Sequence, residues 1–243
     1  MFSVIMPAFN AEKTISNSIN SVLSQSYPDF ELIIIDDKST DKTLEIAKSY
    51  LELDARVKLI TNTKNGGVAN ARNLGINKAT GQYLSFLDAD DLWLKEKLQK
   101  QFELFNKKKV YLVFSSYFRV RNGKNMNIVR APASVTYNQL LRGNCIGNLT
   151  GAYDCFRLGK FYQEQIGHED YLMWLRICKK AVRGFGISEP LAKYKVQHKS
   201  VSSNKIKALI WMWHIYRTSL GLKFTRSIFY SGCYIFNGLR KRI

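Results

Sequence analysis

Long apolar runs are missing from this sequence: no stretch reaches 18 consecutive apolar residues, which argues against a membrane-spanning helix. The opening segment, MFSVIMPAFN, is too short in its apolar part and too uncharged at its start to read as a signal peptide. Cysteine is sparse. The four thiols, Cys145, Cys155, Cys178 and Cys233, have no metal-type spacing, and so few in 243 residues make no disulfide framework. Reduced thiols in a cytosolic setting are therefore expected. No internal repeat or low-complexity segment interrupts the chain, which excludes a repeat array. Acidic residues nearly vanish toward the end: residues 176–243 hold 15 Lys and Arg against one acid.

That last scarcity locates the charge. The whole chain carries a formal +18, with 37 basic and 19 acidic residues; residues 1–175 keep 22 and 18 of these and are close to balanced. A basic excess confined to one end points to a polyanionic partner, either nucleic acid or an anionic membrane surface. Residues 205–243 mix nine Lys, Arg or His with eight aromatic side chains, Trp211, Trp213, Tyr216, Phe224, Phe229, Tyr230, Tyr234 and Phe236. Two helices broken near Gly221 would place rings and cations together as interfacial helices do. The plainer alternative packs the same helices back on the rest of the chain. Overall, 46% hydrophobic and 23% charged residues describe a folded domain of ordinary core size.

Hydrophobic periodicity then gives the order of elements. Strands are expected over 2–6, 31–35, 57–61, 82–87 and 110–120, and helices over 11–26, 41–53, 65–80, 95–108 and 169–181, with Asp41 as a helix cap. Four strands alternating with three helices imply a parallel sheet covered on both faces. Ligands bind such sheets beyond the carboxyl ends of the strands. Pro7 to Asn10, Asp36-Asp37, Thr61 to Gly67 and Asp88 to Asp91 all fall there, whereas residues 131–165 show no clear pattern.

Three carboxylates, Asp88, Asp90 and Asp91, crowd one of those ends. Like charges at this spacing repel unless a cation or hydrogen bonds offset them, and Asp88-Ala89-Asp90 offers hard oxygen donors of the type that hold magnesium or manganese beside a diphosphate. On the local pattern alone these acids could equally cap a helix after Leu92. Asp36-Asp37 end a run of three isoleucines, where a carboxylate can accept hydrogen bonds from a nucleoside. Asn65-Gly66-Gly67, followed by Asn70 and Arg72, could present backbone N–H groups and a cation to phosphate.

Taken in order, 3-SVIMPAFNAE-12, 31-ELIIIDDKSTD-41, 65-NGGVANARNLGI-76 and 82-QYLSFLDADD-91 resemble the family 2 inverting glycosyltransferases of the GT-A fold. The resemblance implies a catalytic domain with a Rossmann-like, mostly parallel α/β sheet over residues 1–204; residues 205–243, by their composition, are expected to form a helical, membrane-associating extension. The resemblance further implies that Pro7, Ala8, Glu12 and Asp37 hold the uracil and ribose of a UDP-sugar, and that Asn65, Gly66, Arg72, Asp88 and Ala89 lie along the ribose, diphosphate and sugar. Asp90, with Asp88, would bind Mn2+ or Mg2+.

Glu169-Asp170 resembles the family's E-D pair, whose second acid is the general base, and the acceptor would lie near Trp174 and His168. The segment 194-YKVQHKSVSS-203 resembles another family element, in which Lys195 replaces the usual arginine and His198 is a further candidate metal ligand. The processive branch's Q-x-x-R-W motif is absent, so single-sugar transfer is expected.

The resemblance also implies a bacterial surface-polysaccharide enzyme of O-antigen or capsule type. Such an enzyme would move glucose or galactose from UDP onto an undecaprenyl-diphosphate-linked sugar at the cytoplasmic face of the inner membrane. Competing readings are a nucleic-acid-binding protein, a nucleotidyltransferase and a non-catalytic UDP-sugar-binding paralogue. The first lacks a reading motif, so no nucleic acid is expected, and the second would open with a basic glycine-rich loop.

Overall fold

The computed structural model describes residues 1–107, 109–121, 123–196 and 205–240, with side chains of the last segment described over 207–237. The first half alternates β1 (Phe2–Ala8), α1 (Ile15–Leu23), β2 (Phe30–Asp36), α2 (Thr43–Leu53), β3 (Val57–Thr61), α3 (Val68–Lys78) and β4 (Tyr83–Phe86). Strands β3, β2, β1 and β4 lie side by side in that order and run parallel. Every residue of β1 and β2 is buried, because helices cover both faces of a parallel sheet. Alternation sorts their side chains: Ile5, Ile33 and Ile35 face one core, while Val4, Met6, Leu32 and Ile34 face the other.

The second half turns the sheet into a mixed one. After β5 (Leu92–Trp93) and α4 (Lys97–Phe105) come β6 (Leu112–Arg121) and β7 (Lys124–Val129), a hairpin. The stretch without a clear pattern holds short pieces: β8 (Ser134–Thr136), α5 (Tyr137–Leu140), β9 (Ala152–Asp154) and α6 (Cys155–Leu158). Strand β9 slots antiparallel between β4 and β6. Then α7 (Glu169–Ala181) leads to β10 (Arg183–Lys195), which pairs parallel with β6. Helix α4 starts at Lys97, well past the acidic cluster, so Asp88, Asp90 and Asp91 do not cap it. Asp41 does take the first free N–H of α2, accepting from Thr43 at 2.9 Å.

Helices α8 (Lys205–His214) and α9 (Phe224–Arg240) flank a π turn at Ile215–Ser219, and the break falls at Gly221, whose φ is +61°. The packed-back alternative holds for one side of this segment. One face joins the core through Met212, Ile215 and Tyr216. Two hydrogen bonds, each 2.8 Å, fasten it there: Tyr216 Oη donates to the Leu141 carbonyl and Asn237 Nδ2 to that of Arg142. The other face leaves Ile210, Phe224, Ile228, Phe229, Ile235 and Phe236 exposed. Among the described residues no helix is long and apolar enough to cross a membrane.

Glu31 fastens the edge of the sheet away from the cleft. Its carboxylate accepts from Ser3 of β1, from the Thr80 N–H (2.7 Å) and hydroxyl (2.8 Å) ahead of β4, and from Lys58 of β3 (2.6 Å). Burial raises its pKa, but the bonds from Lys58, Ser3 and Thr80 outweigh that and hold it at about 2, against an ordinary 4.5. A depressed carboxylate adds stability above its unfolded pKa and loses it as pH falls through the folded one. Stability should therefore drop between pH 4.5 and about 2. Glu31→Gln should unfold about 2 kcal/mol more easily at pH 7 and show a shallower acid loss in urea melts. An unchanged acid slope in that variant would contradict the assignment.

Candidate active site

The polar residues at the strand ends do converge. They line two hollows of about 640 and 790 Å³ that share Gly67, Val68, Asp88, Asp90 and Lys195 and so form one cleft. The first hollow holds Pro7, Ala8, Glu12, Asp37, Asn65 and Ala89. The second holds Gly66, Arg72, Asp91, His168, Glu169 and Asp170. Residues from β1, the α3 turn, the β4 end and the start of α7 thus meet, as a ligand site at the carboxyl edge of a parallel sheet requires.

Within the first hollow Asp37 is a pillar. It is buried and accepts from Asn62 Nδ2 at 2.7 Å and from the backbone N–H groups of Gly66 (2.9 Å) and Gly67 (2.7 Å). These bonds hold the glycine turn, where Gly67 takes φ +82°, a left-handed conformation glycine adopts without a steric penalty. Opposite it, the Glu12 backbone N–H donates to Asp41 at 3.1 Å while its carboxylate accepts the Lys42 N–H at 3.2 Å, tying the loop after β1 to α2.

Geometry separates the three crowded acids. Asp88 accepts from Arg72 Nη2 at 2.6 Å, and Arg72 Nη1 in turn donates to Gln163 at 3.1 Å. Arg72 is buried, which works against its charge, yet Asp88, Asp170 and Glu169 outweigh that and raise its pKa. Asp91 turns inward: its Oδ1 accepts the Lys195 N–H at 2.8 Å, joining this loop to the end of β10. Burial and the neighbouring Asp88 and Asp90 push the Asp91 carboxyl well above the usual range. Asp90 stays at the cleft, lining both hollows.

That arrangement bears on a metal. Among the described residues no three His, Cys, Asp or Glu gather as a cage. Of this acidic cluster, with Asp91 turned inward and one Asp88 oxygen on Arg72, Asp90 and the remainder of Asp88 are what line both hollows. One or two carboxylates with open positions suit magnesium or manganese bound jointly with a diphosphate, since such ions keep water and phosphate ligands. The donor set therefore fits. His198 lies outside the described residues.

On the far side, Asp170 sits in the first turn of α7, where acids are favoured. Burial raises its pKa by more than Arg72 and His168 lower it. His168, at φ +54°, presents its ring to the cleft, with Nε2 buried and without a hydrogen-bond partner.

The expectation for Trp174 is corrected: it is fully buried beneath the sheet, against Phe86 and Tyr153 and so close to Gly151 that a Cβ there would come within 2.5 Å. A sugar cannot stack on a ring with no exposed face. The indole that does line the cleft is Trp211 of α8, joined by Tyr117 and Asn148. No local pattern marks these three; Tyr117 reads only as part of a strand and Trp211 only as one ring in a basic tail.

The profile of the family described as Glycosyl transferase family 2 matches residues 3–164, and the chain belongs to that family as a GT-A glycosyltransferase. It is 36% identical to TuaG of Bacillus subtilis (strain 168), named for teichuronic acid biosynthesis, over 100% of this chain and 98% of that protein.

It is also 36% identical to the Escherichia coli UDP-Glc:alpha-D-GlcNAc-diphosphoundecaprenol beta-1,3-glucosyltransferase WfgD, over 99% of this chain and 94% of that one. The crystal structure of S. aureus TarS residues 1–349 with UDP superposes with a TM-score of 0.74 at 25% identity, covering 93% of this chain and 68% of that one. A Pyrobaculum calidifontis mannosyltransferase solved with GDP-Man and Mn2+ shares the fold, with a TM-score of 0.71 at 20% identity over 91% of this chain and 64% of that one.

Proposed function

We propose that this enzyme transfers one hexose, glucose first among candidates, from a UDP-sugar to a diphosphate-lipid-linked N-acetylglucosamine, with inversion. The observation that carries the reading is the placement of Asp170 across one cleft from Arg72, Asp88 and Asp90. The acceptor and donor follow the printed activity of WfgD, and of WfaP from Escherichia coli, 32% identical over 99% of this chain and 95% of that protein.

In this reading the loop after β1 and the Asp37-braced glycine turn enclose the nucleoside. Arg72 and Lys195 face the diphosphate, and Asp90 with Asp88 would hold a divalent cation. When bound, that ion neutralises charge on the departing diphosphate. Asp170 takes the proton of the acceptor hydroxyl as that oxygen bonds to the anomeric carbon and the bond to UDP breaks. One in-line displacement from an α-linked donor yields a β-linked product. The test is transfer from a panel of radiolabelled UDP-sugars, with manganese or EDTA, onto a synthetic N-acetylglucosamine-diphosphate-lipid. Metal-dependent product from one donor names the sugar; UDP binding without product from any donor sinks the reaction.

The lipid acceptor requires the enzyme to work at a membrane surface. The exposed faces of α8 and α9 suit this: Ile210, Trp213, Ile228 and Ile235 line an apolar groove of about 500 Å³, and the same segment carries Lys207, Arg217, Lys223 and Arg226. Burying one such side chain contributes about 1.5–3 kcal/mol. Ile228→Glu with Ile235→Glu should therefore weaken co-sedimentation with anionic vesicles at least about tenfold, while UDP binding holds. Undiminished co-sedimentation would place the membrane contact elsewhere.

A further inference from the structure

The C-terminal helical pair reaches the catalytic face. Trp211 of α8 lines the cleft beside His168 and Asp170. Its ring meets that of His168 edge to face, centroids 5.4 Å apart at 88°, and Tyr234 of α9 closes on the same imidazole at 6.4 Å. Immediately before it, Gly167 lies so near that a Cβ there would fall 2.2 Å from the indole.

The backbone at this point needs an outside hold. Gly167 and His168 take φ values of +74° and +54° in succession before α7 begins at Glu169. A left-handed histidine is an uncommon conformation that persists only where its surroundings enforce it. Trp211 and Tyr234 pack against its ring, whose Nε2 is buried without a hydrogen-bond partner. A second tether runs alongside: Ser219 of the π turn donates to Glu164 at 3.4 Å, and Glu164 pairs with Arg176 of α7 at 2.6 Å.

We propose that Trp211 is a positioning residue for transfer: by clamping Gly167 and His168 it sets the first turn of α7 and so the aim of Asp170 at the acceptor hydroxyl. The inference rests on Asp170 being the base. Its consequence is that α8, although beyond the residues matched by the family profile, completes the active site. A ring that merely fills space would, on truncation, lower stability and weaken donor and acceptor use alike. A clamp on the base instead lowers kcat and spares the donor site, which is built from β1, β2 and α3.

The test uses the full-length enzyme with UDP-glucose and the synthetic lipid acceptor. Trp211→Ala should lower kcat about 30-fold or more, since displacing a reacting group by about 1 Å costs on the order of 100-fold. UDP affinity by calorimetry should stay within about twofold, and Trp211→Phe, which keeps an aromatic wall, should recover most of the rate. Gly167→Ala should be similarly impaired, and the Gly167→Ala, Trp211→Ala double variant should be less impaired than the product of the two, because removing the indole relieves the clash and leaves only the strain of a side chain at φ +74°.

Unchanged kcat in Trp211→Ala, an equal loss of UDP affinity, or independent effects in the double variant would overturn the inference. Asp170→Asn, measured beside them, separates the failures: if it is inactive while Trp211→Ala is fully active, the clamp alone is wrong. If Asp170→Asn keeps full activity, base and clamp fall together. Should Trp211→Ala not fold, Trp211→Phe and Gly167→Ala carry the same reading through kcat and UDP affinity.

Discussion

Asp170→Asn should reduce sugar transfer by about 10³-fold, within the range a positioned general base contributes, and leave UDP-sugar binding intact. The amide fills the same space at the start of α7 but cannot take a proton. Binding survives in this proposal because the residues assigned to the nucleoside, Pro7 to Glu12 with Asp37 and the glycine turn, line the other hollow and lie on other elements.

The pH profile supplies a second mark. Burial holds the Asp170 carboxyl above its ordinary pKa against the pull of Arg72 and His168. Its basic form is therefore lost as pH falls through a value higher than that of a free aspartate. Wild-type kcat/KM should decline on the acid side at that raised pKa, and the residual rate of Asp170→Asn should lack this limb. Rates equal to wild type in the asparagine enzyme, measured under single-turnover conditions, would remove Asp170 from the mechanism.

Asp90→Ala should abolish metal stimulation. The loss of a charge-neutralising ion at a departing diphosphate is worth several kcal/mol, or about 10²- to 10³-fold in rate. The prediction is placed on Asp90 because it lines both hollows of the cleft, whereas Asp91 is buried. In a manganese titration the variant should stay near the EDTA baseline of the wild type at every concentration. A variant that reached wild-type rate at saturating manganese would show that the ion is held by other groups, and the D-x-D reading would fail.

How much of this was legible beforehand differs by element. Strands β1 and β2 and helix α7 were plain, since runs such as ELIII and the helix 169–181 carry their period within a few residues. The strand-end placement of Pro7, Asp37, Gly66 and Asp88 followed from that alternation plus the general location of sites in parallel sheets. Residues 131–165 were opaque because their pieces are three or four residues long and owe their shape to partners far along the chain. Strand β9, for example, is a strand only because β4 and β6 flank it. No local pattern holds that information.

The sequence by itself determined the alternating α/β order, the polar strand ends, the family motifs and the concentration of basic charge in the last quarter. These are local or compositional properties, set by side-chain period and residue type. Only the tertiary structure decided which tryptophan meets the cleft. Trp174 stands one helical turn after Asp170 yet lies fully buried, while Trp211, from the tail, stands at the site. It likewise separated three adjacent acids into an ion pair, a buried pin and a cleft carboxylate. Such roles depend on what long-range packing brings within a few ångströms of each oxygen or ring, and residues adjacent in the chain can end in opposite environments.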